Sequence, residues 1–151
     1  MKKINIIVLL AICSLSLNSC EKDTETSFVQ KNYLVGKWFA TEIGSLNYQG
    51  VLSYEPYENN PNCDSDNLIL NEDKSFQVND FEYLNDVCDT FNIDGTYTVE
   101  GNRITLNYTD SEGIAVDETR NISSLTFTEM EVSYTDNETN EIVFLKFQRE
   151  E

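Results

Sequence analysis

The sequence contains no histidine among its 151 residues. Histidine is the usual general base near neutral pH and the commonest metal ligand, so its absence excludes every catalytic triad and metal centre that needs an imidazole. Cationic side chains are also scarce, with 10 Lys and Arg against 27 Asp and Glu. The formal net charge of −17 repels nucleic acid and bare anionic lipid surfaces, so we expect no nucleic-acid partner.

The sequence also lacks an apolar run long enough to span a bilayer, which needs about 20 residues. Its longest run, 4–17, follows two lysines and has the length of the apolar core of a secretory signal peptide. Residues 17–20 read Leu-Asn-Ser-Cys and resemble the lipobox of bacterial lipoproteins. The resemblance implies a signal peptide at 1–19 and acyl chains on Cys20. The alternatives are a secreted protein cleaved nearby and a retained anchor helix.

Anchoring through Cys20 would be stable, because each buried methylene of two or three acyl chains contributes about 0.8 kcal/mol. The next residues, Glu21-Lys22-Asp23, resemble the export signals that move some lipoproteins to the cell surface. We therefore expect a lipoprotein of the outer membrane, on either its periplasmic or its surface face. The polar segment 20–32 is interpreted as a tether, and 33–151 as one folded domain.

The four cysteines have separate expected roles. Cys13 lies in the signal segment and Cys20 is the expected lipidation site, which leaves Cys63 and Cys88. In an oxidising envelope, two remaining thiols most simply form a disulfide, which would stabilise the fold by about 3.5 kcal/mol in the chain-entropy model. Two cysteines without a histidine are a poor zinc site, so we expect no metal and no cofactor.

The folded segment shows no helical stripe; apolar and polar residues alternate with period two, as is typical of β-strands. This alternation places Trp38 on one face of the first strand and Ile43 on the other. About eight or nine short strands, separated by turns such as Asn71–Lys74 and the one at Gly101, indicate an all-β sandwich or barrel. Residues 53–66, which hold both prolines, are a predicted loop. The predicted strands are 33–43, 68–70, 76–78, 96–99, 104–108, 121–124, 131–134 and 142–147.

The segment 34–38 reads Leu-Val-Gly-Lys-Trp and resembles the Gly-x-Trp signature that opens lipocalins. An ordered set of features across 33–149 is similar to the lipocalin-like domains of envelope lipoproteins. The resemblance implies an antiparallel up-and-down β-barrel of about eight strands, with one closed and one open end. It also implies that Trp38 plugs the closed end, beneath Arg149, and that Gly36 lets the backbone pass close to the indole. The Thr-Asp-Tyr motif of classical lipocalins is missing.

Aromatic residues are concentrated in and beside the predicted loop. Aromatics at the mouth of a barrel stack sugars or hold apolar ligands, whereas elsewhere in a β-domain they serve core or cross-strand packing. The candidate ligand-binding residues are Tyr54, Tyr57, Phe81, Tyr83 and Phe91.

Three functions remain open at this point. The barrel favours a non-enzymatic module that binds a small apolar or aromatic ligand. The second is a structural or accessory lipoprotein whose filled barrel docks an envelope protein. The third is catalysis by carboxylate pairs such as Asp64 with Asp66 or Asp86 with Asp89, which we instead interpret as solvated loop charges. We therefore assign no catalytic residue.

The lipid anchor is tested by Cys20→Ser, which removes the acylated thiol. We expect this variant to move from the membrane fraction to the soluble fraction, because the acyl chains supply the membrane affinity. Cys13→Ser, a change inside the signal segment, is the matched control and should stay with the membrane. Continued membrane association of Cys20→Ser would refute the anchor.

Overall fold

The computed structural model of the chain describes residues 33–136 and 139–151. The predicted signal peptide at 1–19, the lipidation site Cys20 and the tether at 20–32 lie outside the described residues. Two positions of the predicted last turn, 137 and 138, also lie outside them. Within these described ranges, no helix is long and apolar enough to cross a membrane.

The described chain forms nine β-strands in one antiparallel sheet, and pairing of the first strand with the last closes the sheet. Eight of them, all except β2, make up the closed barrel. The predicted all-β, up-and-down barrel is therefore confirmed. The strands are β1 (Gly36–Leu46), β2 (Leu52–Pro56), β3 (Asn67–Leu70), β4 (Ser75–Leu84), β5 (Val87–Glu100), β6 (Arg103–Thr109), β7 (Ala115–Leu125), β8 (Glu129–Thr135) and β9 (Ile142–Arg149).

The two best-defined predicted hairpins are present. The turn at Asn71–Lys74 joins β3 to β4, and the backbone N–H of Lys74 donates to the Asn71 carbonyl at 3.2 Å. The turn between β5 and β6 contains Gly101 at a φ of 62°, in the left-handed region that glycine adopts at no steric cost. Local turn chemistry therefore sets the pairing of these strands.

One edge of β1 is shared by two strands. The first half of β1 pairs with β3, whereas its second half pairs with β2. The predicted loop 53–66 is therefore wrong in its first part, because residues 52–56 find five partners along β1. Pro56 is the last residue of β2, so its missing N–H does not interrupt the hydrogen bonds in the middle of the strand. The remaining loop, 57–66, connects β2 to β3.

A β-bulge changes which side chains of β1 point into the barrel. The register of β1 against β9 shifts between Ala40 and Glu42. Trp38 and Ala40 are buried inside the barrel before the bulge. The extra residue reverses the alternation after it, so that Ile43 lines the cavity although it is 40% exposed. The sequence-based placement of Ile43 on the face opposite Trp38 is therefore wrong.

Trp38 fills the closed end of the barrel and has no solvent exposure. Its indole N–H donates to the Leu34 carbonyl at 2.8 Å. The Arg149 guanidinium carbon lies 4.4 Å from the centroid of the Trp38 ring, a cation–π contact that contributes roughly 0.5–2 kcal/mol. Arg149 also donates to the carbonyls of Val35, at 2.7 Å, and Tyr33. The start and end of the domain are thereby joined at one point.

Gly36 leaves room for this arrangement. It has a φ of +149°, and a Cβ at this position would lie 2.9 Å from Nη1 of Arg149. That nitrogen donates to the Val35 carbonyl and cannot move away without losing the bond. Glycine is therefore required here both by backbone conformation and by space.

Cys63 and Cys88 form a disulfide, as predicted, with their Cα atoms 5.6 Å apart. Cys63 lies in the loop 57–66 and Cys88 in β5, so the bond fastens this loop to the wall of the barrel. The backbone of the loop would otherwise be held mainly by local hydrogen bonds.

Replacing Cys63 and Cys88 together with serine should lower the free energy of unfolding by about 3.5 kcal/mol, because the unfolded chain loses a covalent loop constraint. For a domain of this size the melting temperature should fall by roughly 10 °C in calorimetry under oxidising conditions. The wild-type protein with reductant serves as the control and should melt like the variant. Identical oxidised melting curves for variant and wild type would contradict a stabilising bond.

Candidate functional site

A cavity of about 330 Å³ occupies the interior of the barrel. All eight barrel strands contribute side chains to its wall, together with the loop 57–66. The closed end beneath it is filled by the most deeply buried side chains, among them Trp38, Tyr97 and Ile122. The cavity therefore lies between this plug and the open end, which we call the mouth.

The part of the wall near the plug is apolar. Phe76 and Tyr108 meet edge to face there, with ring centroids 6.3 Å apart. This surface can bury the hydrocarbon part of a ligand, and each buried methylene contributes about 0.8 kcal/mol. The apolar lining residues are Ala40, Ile43, Leu68, Phe76, Val78, Ile93, Leu106, Leu145 and Phe147.

The loop 57–66 brings a fixed carboxylate to the cavity. The Tyr57 hydroxyl donates to Oδ2 of Asp66 at 2.9 Å, and the backbone N–H of Phe81 donates to Oδ1 at 2.7 Å. The N–H of Asp66 in turn donates to Oδ1 of Asn59 at 2.8 Å. Both oxygens of Asp66 are therefore engaged, and the loop is held against β4.

An ion pair enters the cavity from β7. Glu118 and Arg120 are two residues apart on the strand, so both point to the same face as the buried Ile122. Nε of Arg120 donates to Oε1 of Glu118 at 2.6 Å, and the guanidinium lies 5.2 Å from the centroid of Tyr134. The side chains are 13% and 22% exposed for Arg120 and Glu118, so the pair is largely shielded from water.

Three phenols surround these charges. Burial is the largest cause that raises the pKa of Tyr57, Tyr108 and Tyr134 above the ordinary tyrosine value, and for Tyr57 the hydrogen bond to Asp66 adds to it. All three hydroxyls therefore keep their protons at neutral pH and serve as neutral hydrogen-bonding groups.

Asp80 is the third carboxyl group of the cavity wall, and it lies on β4 in line with Phe76 and Val78. Desolvation is the main cause that raises its pKa, and the charge of Asp66 raises it further, whereas Arg120 acts in the opposite direction. Within the described part of the chain, Asp80 accepts no hydrogen bond. Its side chain is nevertheless exposed at the mouth end of β4, so it is the carboxyl group of the wall that a ligand can reach.

The structure does not bring the five predicted aromatic residues together. Tyr57 lines the cavity, and Phe91 is 55% exposed on β5, toward the mouth. Tyr54 lies on the outer surface, where the Lys146 ammonium is 3.7 Å from its ring centroid. Phe81 lines an outer groove, and the Tyr83 hydroxyl contacts Asp86 of its own hairpin at 3.4 Å. Of these five residues, Tyr57 alone lines the cavity and remains a candidate ligand-binding residue.

Sequence reasoning missed most of the polar wall. Asp80, Glu118, Arg120 and Tyr134 all share the inward face of a strand with an apolar residue two positions away, and that alternation was the available signal. Of the candidate carboxylate pairs, only Asp66 lines the cavity. Across 33–136 and 139–151, no group of three or more potential ligands that could hold a metal ion is found.

Comparisons with known proteins agree with this architecture. The sequence profile of the family described as "Lipocalin-like domain" matches residues 34–132. A lipocalin-like protein from Bacteroides uniformis ATCC 8492 is similar in structure, with a TM-score of 0.52, 17% identity, and coverage of 78% of this chain and 99% of that one. An uncharacterized protein from Bacteroides eggerthii DSM 20697 gives a TM-score of 0.51, 15% identity, and coverage of 77% and 98%.

The curated proteins give no significant match. The two structural similarities concern the fold alone, because their sequence identities are low. The matched profile, in contrast, covers residues 34–132 of the 151 in this chain, from the segment before Trp38 to the middle of β8. The chain belongs to the lipocalin-like domain family.

Proposed function

We propose that this protein is a non-enzymatic binding protein that holds one small amphipathic ligand inside its barrel. The observation that carries this proposal is the cavity, which is closed at one end, apolar near the plug and polar toward the mouth. Its volume of about 330 Å³ lies within the range of small-molecule pockets, toward the lower end. A short apolar body with one polar end matches that wall.

The cavity also argues against a barrel that acts only through its outer surface. A structural barrel needs no interior space, and its core would be filled by its own side chains. Here the plug at Trp38 is packed in that way, whereas the space above it is not. Ligand capture is therefore the better supported function.

The carboxylates of the cavity do not form the pair that glycoside hydrolysis uses. In that reaction two carboxyl groups flank the scissile bond, one as acid and the other as base or nucleophile. Both oxygens of Asp66 accept hydrogen bonds, and Glu118 is paired with Arg120. Only Asp80 is left, so we assign no catalytic role.

We further propose that the barrel is anchored to the outer membrane through acyl chains on Cys20. The lipobox-like sequence supports this, and the place where the tether joins the barrel is compatible with it. Tyr33, the first described residue, lies at the closed end, where its carbonyl accepts from Arg149. The mouth is at the opposite end of the barrel from Tyr33, so an anchor that precedes Tyr33 would not attach at the mouth.

The accessory function remains the alternative, because apolar side chains are exposed on hairpins around the mouth. Such residues favour docking onto an envelope protein. Binding of a small molecule in the cavity distinguishes the two functions, since docking requires none. The exposed residues include Tyr48 at 94%, Val51 at 55%, Val87 at 59%, Ile114 at 55% and Ile142 at 46%.

Ligand capture is tested with N-phenyl-1-naphthylamine, an uncharged apolar probe that fluoresces when removed from water. We expect saturable binding by the wild-type protein and at least tenfold weaker binding by Val78→Trp, because the added indole occupies the cavity. Gln77→Trp, on the outward face of the same strand, is the matched control and should bind normally. Equal binding by both variants would place the probe elsewhere, and no binding by the wild type would refute the proposed function.

A further inference from the structure

We propose that the ligand is an amphiphile with a cationic polar end, such as a primary amine, and that Asp80 receives this cation. The inference deepens the proposed function and rests on it, since it names the class of ligand that the same cavity takes. The site is the cavity itself; the charges along its wall decide which polar end fits.

The wall of the cavity carries more negative than positive charge. Three carboxyl groups line it, those of Asp66, Asp80 and Glu118, and Arg120 is the single cation among its lining residues. Asp66, Glu118 and Arg120 are partly buried, which strengthens the interactions between their charges, whereas Asp80 is exposed at the mouth. The excess negative charge would repel an anionic ligand, whereas a cationic ligand would neutralise part of it.

The positive charge of Arg120 is already offset by Glu118, which makes it a weak site for an anionic ligand. Its Nε is bound to Glu118 at 2.6 Å, and its guanidinium packs against Tyr134. A carboxylate that approached Arg120 would have to lie beside Glu118 and in the field of Asp80, which is itself close enough to interact with Arg120. The guanidinium therefore neutralises one charge of the wall, and the remaining charge of the wall is negative.

Asp80 is placed where the polar end of a ligand would lie. Phe76, Val78 and Asp80 follow one another on the inward face of β4, with roughly 7 Å between alternate residues of a strand. A hydrocarbon chain that packs on Phe76 and Val78 therefore brings its end to the Asp80 carboxyl. Because Asp66 is already engaged by Tyr57 and Phe81, Asp80 is the free acceptor.

The test compares octylamine, octanol and octanoate as competitors of N-phenyl-1-naphthylamine at pH 7. The three molecules share one hydrocarbon chain and differ in the charge of the polar end. We expect octylamine to bind most tightly and octanoate most weakly. The amine should exceed the alcohol by about tenfold, as one charge-assisted hydrogen bond predicts.

The variant Asp80→Asn keeps the shape of the side chain and removes its charge, so it should abolish the advantage of octylamine over octanol. Asp94→Asn is the matched control. It removes one exposed charge from the neighbouring strand β5, where Asp94 pairs with Gln77 outside the cavity. This control should keep the advantage of the amine.

Failure of the cationic ligand can be distinguished from failure of ligand capture. Equal affinity for the three competitors, or tighter binding of octanoate, would overturn the cationic ligand and leave ligand capture intact. Equal effects of Asp80→Asn and Asp94→Asn would overturn the role of Asp80, because the preference would then come from the overall charge. Failure of the probe and of all three competitors to bind would refute ligand capture and this inference together.

Discussion

The contact between Arg149 and Trp38 joins the two ends of the domain, and the rest of the barrel depends on it. The two residues are direct partners at one end of the ladder between β1 and β9, which has seven partner pairs and closes the barrel. The guanidinium covers the indole and donates hydrogen bonds to two backbone carbonyls of the segment before β1. Without this closure the sheet would have two open edges and no enclosed interior.

The same closure explains why a cavity exists. Inward side chains are large and apolar around Trp38, which packs the closed end solid, and they become smaller or polar toward the mouth. Polar groups inside a barrel cost free energy unless they are paired. Asp66 and the Glu118–Arg120 pair meet this condition within the protein. Asp80 is exposed at the mouth end of β4 and has no hydrogen-bond partner in the described chain, so it is the carboxyl group that a ligand can reach.

Much of the fold could be predicted because the relevant signals are local. Alternation and turn residues identified most of the strands, and the resemblance of the segment with Gly36 and Trp38 to the lipocalin signature implied the closed end. The strand at 52–56 was missed because its partner, β1, determines it. The inward turn of Ile43 depends on a bulge that the sequence does not reveal. The polar wall, including Asp80, was missed because it forms only when distant strands meet, and the lipid anchor at Cys20 stays a prediction.

Native-state hydrogen exchange of the amides in the β1–β9 ladder tests the closure of the barrel most directly. Ala40 and Phe147 are paired in that ladder, next to the contact between Trp38 and Arg149. If the barrel is held shut there, these amides exchange only through global unfolding, with the free energy found by denaturant titration. Faster exchange in this ladder than between β6 and β7 would show that the barrel opens where its ends meet, and would contradict the account.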